Sequence, residues 1–526
     1  MKKFKYKVLI TTSGIGSRLG EYTKYTNKAL IRVGRKPVIS YIIESYPKNT
    51  PFVVTLGHFG SHVKDFLNLV YKDRTFKFVE VGRYQGEGSS LGNSMREAAA
   101  FLQCPFIFNA SDTIVDGLIP EPNMNWIGGF AGDGSSNYRS FNVLNGRIEK
   151  ILEKGIINPD YLHIGLIGIR DYKIFWEALS RLCLEKKYKE ELSDVHVLNE
   201  MLSREIDFKI KEFKIWHDTG NVEPLLKARN QISDSFYNLD KPKETIYIFN
   251  NKSVVKFYFD STFIKERLER AKILKGLTPK INDSTDNFFS YKYVKGDLYA
   301  DVANPKNFAE FLEWSQKKLW KPLREVSDIK FKKVCFDFYF SKTNQRIKEF
   351  LNVRGIKDTE NIINEEHVPP IQEIFRKIDF EWLCEASQSG FHGDYILDNI
   401  IKIKKGFKLL DWRNNFGGLL KAGDKYYDFA KLNHNLIINH SVVTRNLFMV
   451  KIQGNKIDCD ILRKENLIQC QKVLFNFLQE NNYDARKVKI LTCLIWFSSA
   501  PLHHKPYDCF LFYFAKLNLW RVLNEK

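Results

Sequence analysis

The sequence predicts two folds in one chain: an α/β half built on a parallel sheet, then an α+β half that opens on a few strands and turns predominantly helical. Three observations carry this. Over positions 1–230, short β-branched and aromatic runs alternate with stretches of helical spacing, the pattern of a parallel sheet covered by helices. From Thr245 the pattern changes to two strand-like runs joined by a polar turn, followed by a charged helix. Beyond position 300 the 3.6-residue period dominates, broken at 391–412 by a short β-rich block.

In order, 7–12, 51–56, 76–81 and 105–109 read as strands buried on both faces. Between them, 36–46, 62–71 and 89–102 have helical spacing and length. In the second half, 245–249 and 254–260 are strands around the turn at 250–253, and 262–274 is the charged helix. The polar stretch 234–243 is the most linker-like, which sets domains at 1–238 and 242–526, the latter with a small lobe at 242–300 and a large helical lobe at 301–526. The aromatic run 510–514 reads as helix core, and His503-His504 as core or pocket lining.

Composition excludes several classes. With 44% hydrophobic residues, 41 Phe and 24 Tyr, the chain is not mainly disordered. No apolar run approaches the ~18 residues of a membrane span, and the apolar start at 7–12 runs into glycines as a first strand does. A cytoplasmic protein without stable membrane insertion is expected. The 8 cysteines contain no C-x-x-C pair, so buried reduced thiols are expected and a structural zinc is not. The net charge of +19 admits nucleic acid, an anionic membrane surface or polyphosphate substrates; it is spread without blocks and no nucleic-acid-binding signature accompanies it, so a nucleic-acid partner is not expected. A homo-oligomer is compatible with all of this.

After the first strand comes TTSGIGSRLGEYTKYTNKAL, with Gly14, Gly16, Ser17, Arg18 and Lys28. Glycines at a strand end let backbone N–H groups approach phosphates, and Arg18 and Lys28 add charge where a triphosphate would lie. The string resembles the nucleotidyltransferase family that makes nucleoside-diphosphate sugars and CDP-alcohols. Further stretches resemble that family in the same order. QGEGSSL at 85–91 resembles its second glycine loop, with Gly86, Gly88 and Ser89 near the nucleobase. PFIFNASD at 105–112 resembles the strand ending in a metal-binding aspartate, Asp112. Glu153, Lys154 and Gly165 resemble the acceptor segment, and WHDTG at 216–220 the second metal aspartate, Asp218.

The resemblance implies a Rossmann-like domain in which an acceptor phosphate attacks the α-phosphorus of a triphosphate. Arg18 would steady the leaving pyrophosphate, Lys28 the transition state and Lys154 the incoming phosphate, with Asp112 and Asp218 on Mg2+ or Mn2+. The loop departs from the family pattern in beginning Thr12-Ser13 and in carrying Asn27 where a proline is usual. Base choice among CTP, UTP, GTP and dTTP stays open.

The second half carries HGDYILDNIIKIKKGFKLLDW. Asp394 can accept a hydroxyl proton, while Asn399 and Asp411 can bind Mg2+. The string resembles the aminoglycoside phosphotransferase and choline kinase superfamily, with a bilobal protein-kinase-like fold. His392 reads as an orienting residue and Asp424 as a helix cap. The resemblance places Lys256 as the ATP lysine, with Glu266 or Glu269 as its partner, and Tyr293-Val294 in the linker that holds adenine.

Together these imply a bifunctional enzyme: ATP phosphorylates a small sugar or polyol, and a second NTP then activates the phosphate, for a surface glycan such as capsule or lipopolysaccharide. The alternative is a choline or ethanolamine kinase fused to a CTP:phosphocholine-type cytidylyltransferase. Two other classes compete: a binding protein with one inactive domain, opposed by the intact carboxylates, and a polynucleotide nucleotidyltransferase, opposed by the lack of that fold's paired-carboxylate motif.

Overall fold

A computed structural model describes residues 5–132, 137–144, 147–156, 158–185, 191–232, 241–250 and 252–525. The chain forms two compact units, Met1–Ser261 with Asn282–Tyr293, and Thr262–Ile281 with Val294–Lys526.

The first unit is built on a sheet whose parallel strands Lys7–Thr11, Phe52–Leu56, Phe76–Glu80 and Phe106–Ala110 stand in the order third, second, first, fourth. This is the Rossmann-like order, and the reversal beside the first strand opens a crevice at the strands' C-terminal ends. Tyr161–Ile169 runs antiparallel beside Phe106–Ala110 and links it to the remaining strands. The central strand is buried on both sides: Val8 and Ile10 enter one core with Phe52, Val54 and Ile107, while Leu9 enters another with Val53, Phe106 and Phe108. Phe76–Glu80 departs from the expected two-sided burial. It is the sheet's edge, and only Val79 of its five residues is buried. The expected helix at 36–46 is shortened to Val38–Glu44, because Lys36–Pro37 pairs with Arg32–Val33.

A second antiparallel sheet, ordered Glu244–Phe249, Ser253–Tyr258, Phe288–Lys292 and Ile281–Ser284, contains the strands expected in the small lobe. Its alternation decides its packing. Tyr247, Phe249, Val255, Phe257 and Phe288 join the core of the first unit. The ring of Phe66, in helix Gly60–Val70, lies 5.4 Å from Tyr247 and 5.9 Å from Phe288. Tyr247 Oη donates to Leu30 O at 2.6 Å. The first unit therefore extends past the expected division at 238–242, since these strands bury their apolar face on that helix. Most of the expected linker, 233–240, lies outside the described residues.

The second unit is helical around a large aromatic core, with helices Pro305–Lys318, Lys425–Ile437, Ala485–Ser499 and Tyr507–Asn524 prominent. Phe510, Leu511 and Phe512 are buried in it. His503-His504 differs from expectation: His504 is exposed and His503 half-buried against Tyr507, because 503–506 is the turn between the short helix Ala500–Leu502 and helix Tyr507–Asn524. The helical expectation also misses the hairpin Phe448–Gln453 with Lys456–Ile461, whose two-residue alternation turns at Gly454. Among the described residues, no helix is long and apolar enough to cross a membrane. The eight cysteines are all free, six of them buried.

Candidate active sites

Sheet register assembles the first site. Thr11 pairs with Ala110, so the glycine turn leaving one strand and Ser111-Asp112 leaving the other emerge side by side. Ile215–Asp218 then pairs antiparallel with Thr113–Asp116, opposing Asp218 to Thr113. Thr219 N and Oγ1 both donate to Asp112 O, at 2.9 and 3.0 Å. The two carboxylates converge on Gly220, where a Cβ would lie 2.8 Å from Asp112 Oδ2 and 3.1 Å from Asp218 Oδ1. Only a residue without a side chain fits there.

Each carboxylate is held differently. Lys28 Nζ meets Asp112 Oδ2 at 2.6 Å. Burial pushes the Asp112 carboxyl up, but Lys28, with Arg18 behind it, outweighs that and holds it below the usual carboxylate range. Asp218 accepts from Gly220 N at 2.8 Å, Asn221 Nδ2 at 3.0 Å and Tyr138 Oη at 2.8 Å. Burial and the adjacent Asp218 raise the Tyr138 phenol, which stays a donor. The loop carrying Lys28 is fixed by Asn27, whose amide donates to Thr12 O at 2.7 Å and His58 O at 2.6 Å and whose Oδ1 caps the turn at Ala29 N. Asn27 thus supplies by hydrogen bonds the rigidity that a proline would give covalently.

A cleft of about 220 Å³ unites Arg18, Asp112, Asp218, Lys154 and Gly165 of the expected residues. Glu153 is exposed and pairs with Arg139 Nε at 3.1 Å. Gly16, at φ 70°, leaves no slack: a Cβ would sit 3.2 Å from that of Lys28. Gly14 and Ser17 are exposed on the same turn. Gly88 lines an adjoining cavity of about 490 Å³ with Arg83, Ser90 and Asn93. Gly86 and Ser89 close that loop, Ser89 Oγ donating to Gly86 O at 2.6 Å. Sequence reasoning did not find Tyr138, Arg139, Asn221 or the buried pair His163–Asp194 (2.8 Å), all on the cleft wall. Their residue types are common, and only the chain path brings them together.

The second site is local in sequence. His392 N and Gly393 N donate to Asp428 at 2.8 and 2.7 Å, and Trp320 Nε1 adds a third bond at 3.0 Å. Burial pushes the Asp428 carboxyl up to about 6 against the pull of these donors. His392 bonds to Leu410 O at 2.8 Å, and burial lowers its imidazole to about 4, so it orients the loop as a neutral ring. Asn399 Nδ2 donates to Asp394 Oδ2 at 2.9 Å, and Leu410 N to Asn399 O at 2.7 Å. Asp411, at φ 55°, is strained into the left-handed region and pairs with Arg267 at 3.0 Å. Asp394, Asn399 and Asp411 are thus laced together, while Asp424 caps its helix through Tyr426 N at 2.8 Å. Lys431 and Arg267 were not found from sequence.

Lys256 is buried in the central strand of the small sheet, on the face opposite Val255 and Phe257. Glu266 accepts from Asn414 and Asn415 at 2.6 and 2.7 Å, and Glu269 pairs with Lys272 at 2.5 Å. Tyr293 N donates to Lys252 O at 3.0 Å, and Val294, next in the chain, is half-buried.

Comparison with known proteins gives partial likenesses. No family model matches the chain. No curated protein matches it. Among solved structures, UDP-glucose pyrophosphorylase complexed with UDP-glucose aligns at 18% identity over 43% of this chain and 98% of its own, with a TM-score of 0.38. The inositol-1-phosphate CTP transferase from T. maritima aligns at 17% over 45% of this chain and 100% of its own, with a TM-score of 0.35. CTP:phosphocholine cytidylyltransferase from Streptococcus pneumoniae aligns at 15% over 44% and 100%, with a TM-score of 0.37.

Proposed function

We propose that the chain is a bifunctional transferase. Its first unit moves a nucleotidyl group from a nucleoside triphosphate to a phosphorylated sugar or polyol, and its second unit makes that phosphate with ATP. The observation that carries the reading is the convergence of Asp112 and Asp218, far apart in sequence, on a cleft that also holds Arg18 and Lys154, with Lys28 paired to Asp112.

The donor set suits a divalent cation. Two carboxylates stand against one glycine, and among the described residues no third His, Cys, Asp or Glu joins them, so substrate phosphate and water would complete the shell of Mg2+ or Mn2+. When bound, the ion neutralises charge on the α-phosphate. The protein's own groups do the rest. The turn carrying Gly14 and Gly16, with Arg18, faces the departing phosphates, and Lys28 exchanges Asp112 for the reacting phosphoryl. Lys154 and Arg139 receive the acceptor. An acceptor phosphate oxygen bonds to the α-phosphorus while the bond to the bridging oxygen breaks and pyrophosphate leaves. In the second unit, Asp394 takes the hydroxyl proton as the oxygen attacks the γ-phosphorus and ADP departs, with Asn399 and Asp411 as the metal-holding pair. Gly86, Gly88 and Ser89 are the candidates for the second nucleotide's base, while Lys256 and Tyr293, expected at ATP, fall in the first unit and Val294 in the second.

The choline-type reading has one observation in its favour: the rings of Tyr138 and Trp216, 4.9 Å apart on the cleft wall, could face a quaternary ammonium. Pyrophosphate release decides between them, measured with CTP, UTP, GTP, dTTP and ATP against phosphorylated polyols, hexoses and amino-alcohols. Release with none of these acceptors would sink the nucleotidyl-transfer reading.

A further inference from the structure

Asp394 is bracketed by unlike neighbours. Its Oδ2 accepts from Asn399 Nδ2, whereas its Oδ1 meets Lys431 Nζ at 2.8 Å. Further cations gather beside Lys431. Lys342, the first residue of helix Lys342–Arg354, places Nζ 4.6 Å from the centre of the Phe338 ring. The Arg413 guanidinium lies 4.8 Å from the same ring and 6.0 Å from that of Tyr427. Arg413 is pinned there. Its N donates to His392 O at 2.9 Å and its Nε to Asn415 O at 3.0 Å, and a Cβ on Gly393 would come within 2.6 Å of its own.

Phe338 sits in the π-helical turn Asp337–Ser341, which joins two α-helices. Such bulges redirect the side chains that follow and gather at functional sites. Lys431 has Asp394 as a partner. Among the described residues, neither Lys342 nor Arg413 forms an ion pair. Burial, then Arg413, Arg346 and Lys431, push the Lys342 amine down to about 7. Every charged group that bears on it, from its own helix, from the loop after Asp411 and from helix Lys425–Ile437, is positive. Cations held this way are destabilising until an anion arrives.

We propose that Lys342, Arg413 and Lys431, over the floor formed by Phe338, are the acceptor end of the second site and select a substrate with its own negative charge, a carboxylate or phosphate on a hydroxylated carbon chain. The proposal rests on the phosphoryl-transfer reading of Asp394. It places the cations on the side of Asp394 away from Asn399, where the hydroxyl would approach. A quaternary ammonium or an aminated sugar would meet like charge there, so the same cations act against choline and aminoglycosides.

The terminal phosphate of ATP is the other anion these groups could hold, and calorimetry on the full chain separates the two. The probes are ATP, glycerate, glycerol 3-phosphate and choline. Glycerate or glycerol 3-phosphate is expected to bind with proton uptake near pH 7, and choline not to bind. Lys342→Met and Arg413→Met should each weaken that anion by at least about tenfold and leave ATP within about twofold. Asp411→Asn should do the reverse. Lys342→Met removes a half-buried cation without an acid partner, so its Tm should not fall, and Arg413→Lys, which keeps the charge, should recover much of the affinity. The proposal is overturned if choline binds as well as the anions, if neither anion binds, if Lys342→Met binds the anion like wild type, or if the two cation variants weaken ATP instead. If ATP fails to bind wild-type protein, the phosphoryl-transfer reading itself falls.

Discussion

The two candidate sites are put together in opposite ways. In the first unit, Asp112 and Asp218 stand on separate stretches of chain that strand register brings to one glycine, and the loop anchored by Asn27 adds Lys28. In the second, Asp394, Asn399 and Asp411 lie within a short span and are laced to one another by the backbone bonds of a single hairpin region. A site of the first kind is as precise as its sheet. A site of the second kind depends on whatever anchors its loop, here Asp428 beneath the turn. Damage should therefore spread differently in the two.

The largest effects should come from the carboxylates. Asp112→Asn or Asp218→Asn should lower nucleotidyl transfer by about 10³-fold or more while leaving ATP-dependent phosphorylation intact, because each removes one of the two carboxylates proposed to hold the cation. Pyrophosphate and ADP release, assayed on the same preparations, check this, and joint loss would erase the contrast between the sites. Asp394→Asn should cost phosphorylation about 10²- to 10⁴-fold, yet the variant should form nucleotide product normally when given a phosphorylated acceptor. A variant that gains nothing from the phosphorylated acceptor would show that the two steps are not consecutive.

The anchor comes next. Asp428→Ala strips acceptors from two backbone N–H groups and the Trp320 indole, at about 1–3 kcal/mol for each buried donor left unmade. A lower Tm with phosphorylation lost and nucleotidyl transfer retained is expected. Gly220→Ala tests the opposite design. Its methyl would press on both carboxylates, so a weaker Mn2+ response with little change in Tm should follow, read by the metal dependence of pyrophosphate release. The smallest effect is a slope. Lys342 titrates lower in the folded chain than the ~10.4 of an unfolded lysine, so between about pH 7 and pH 10 the unfolded state binds more protons and stability rises with pH. Lys342→Met should flatten that rise in denaturant titrations, and an unchanged slope would mean that the amine is not held down.

How much of this was legible in the sequence differs between the sites for the same reason. The motif residues announce themselves because their spacing and type are unusual: glycines directly after a strand, an aspartate ending an apolar run, H-G-D followed by asparagine. The supporting residues do not. Tyr138 and Asn221 are ordinary residues until the ladder between Thr113–Asp116 and Ile215–Asp218 closes around Asp218. Asp428 lies in the first turn of helix Lys425–Ile437, where an aspartate usually means a favourable charge at a solvated helix end, yet it is fully buried. The strands after Thr245 were read as two strand-like runs flanking a polar turn. Alternation shows that a face is apolar and says nothing of what covers it, so their allegiance to helix Gly60–Val70 was not visible.

That packing bears on the chain's history and its engineering. Recombination between proteins is easiest where a crossover leaves both products with closed surfaces. A crossover at 238–242 would not do so. It would hand one product a strand pair whose Tyr247, Phe249 and Phe257 had lost their cover, and leave the other with Phe66 bare. Exchange of halves with another chain of this fold should therefore succeed only when helix Gly60–Val70 and the strands from Glu244 travel together, and chimaeras cut between them should be rescued by supplying the missing piece as a separate polypeptide.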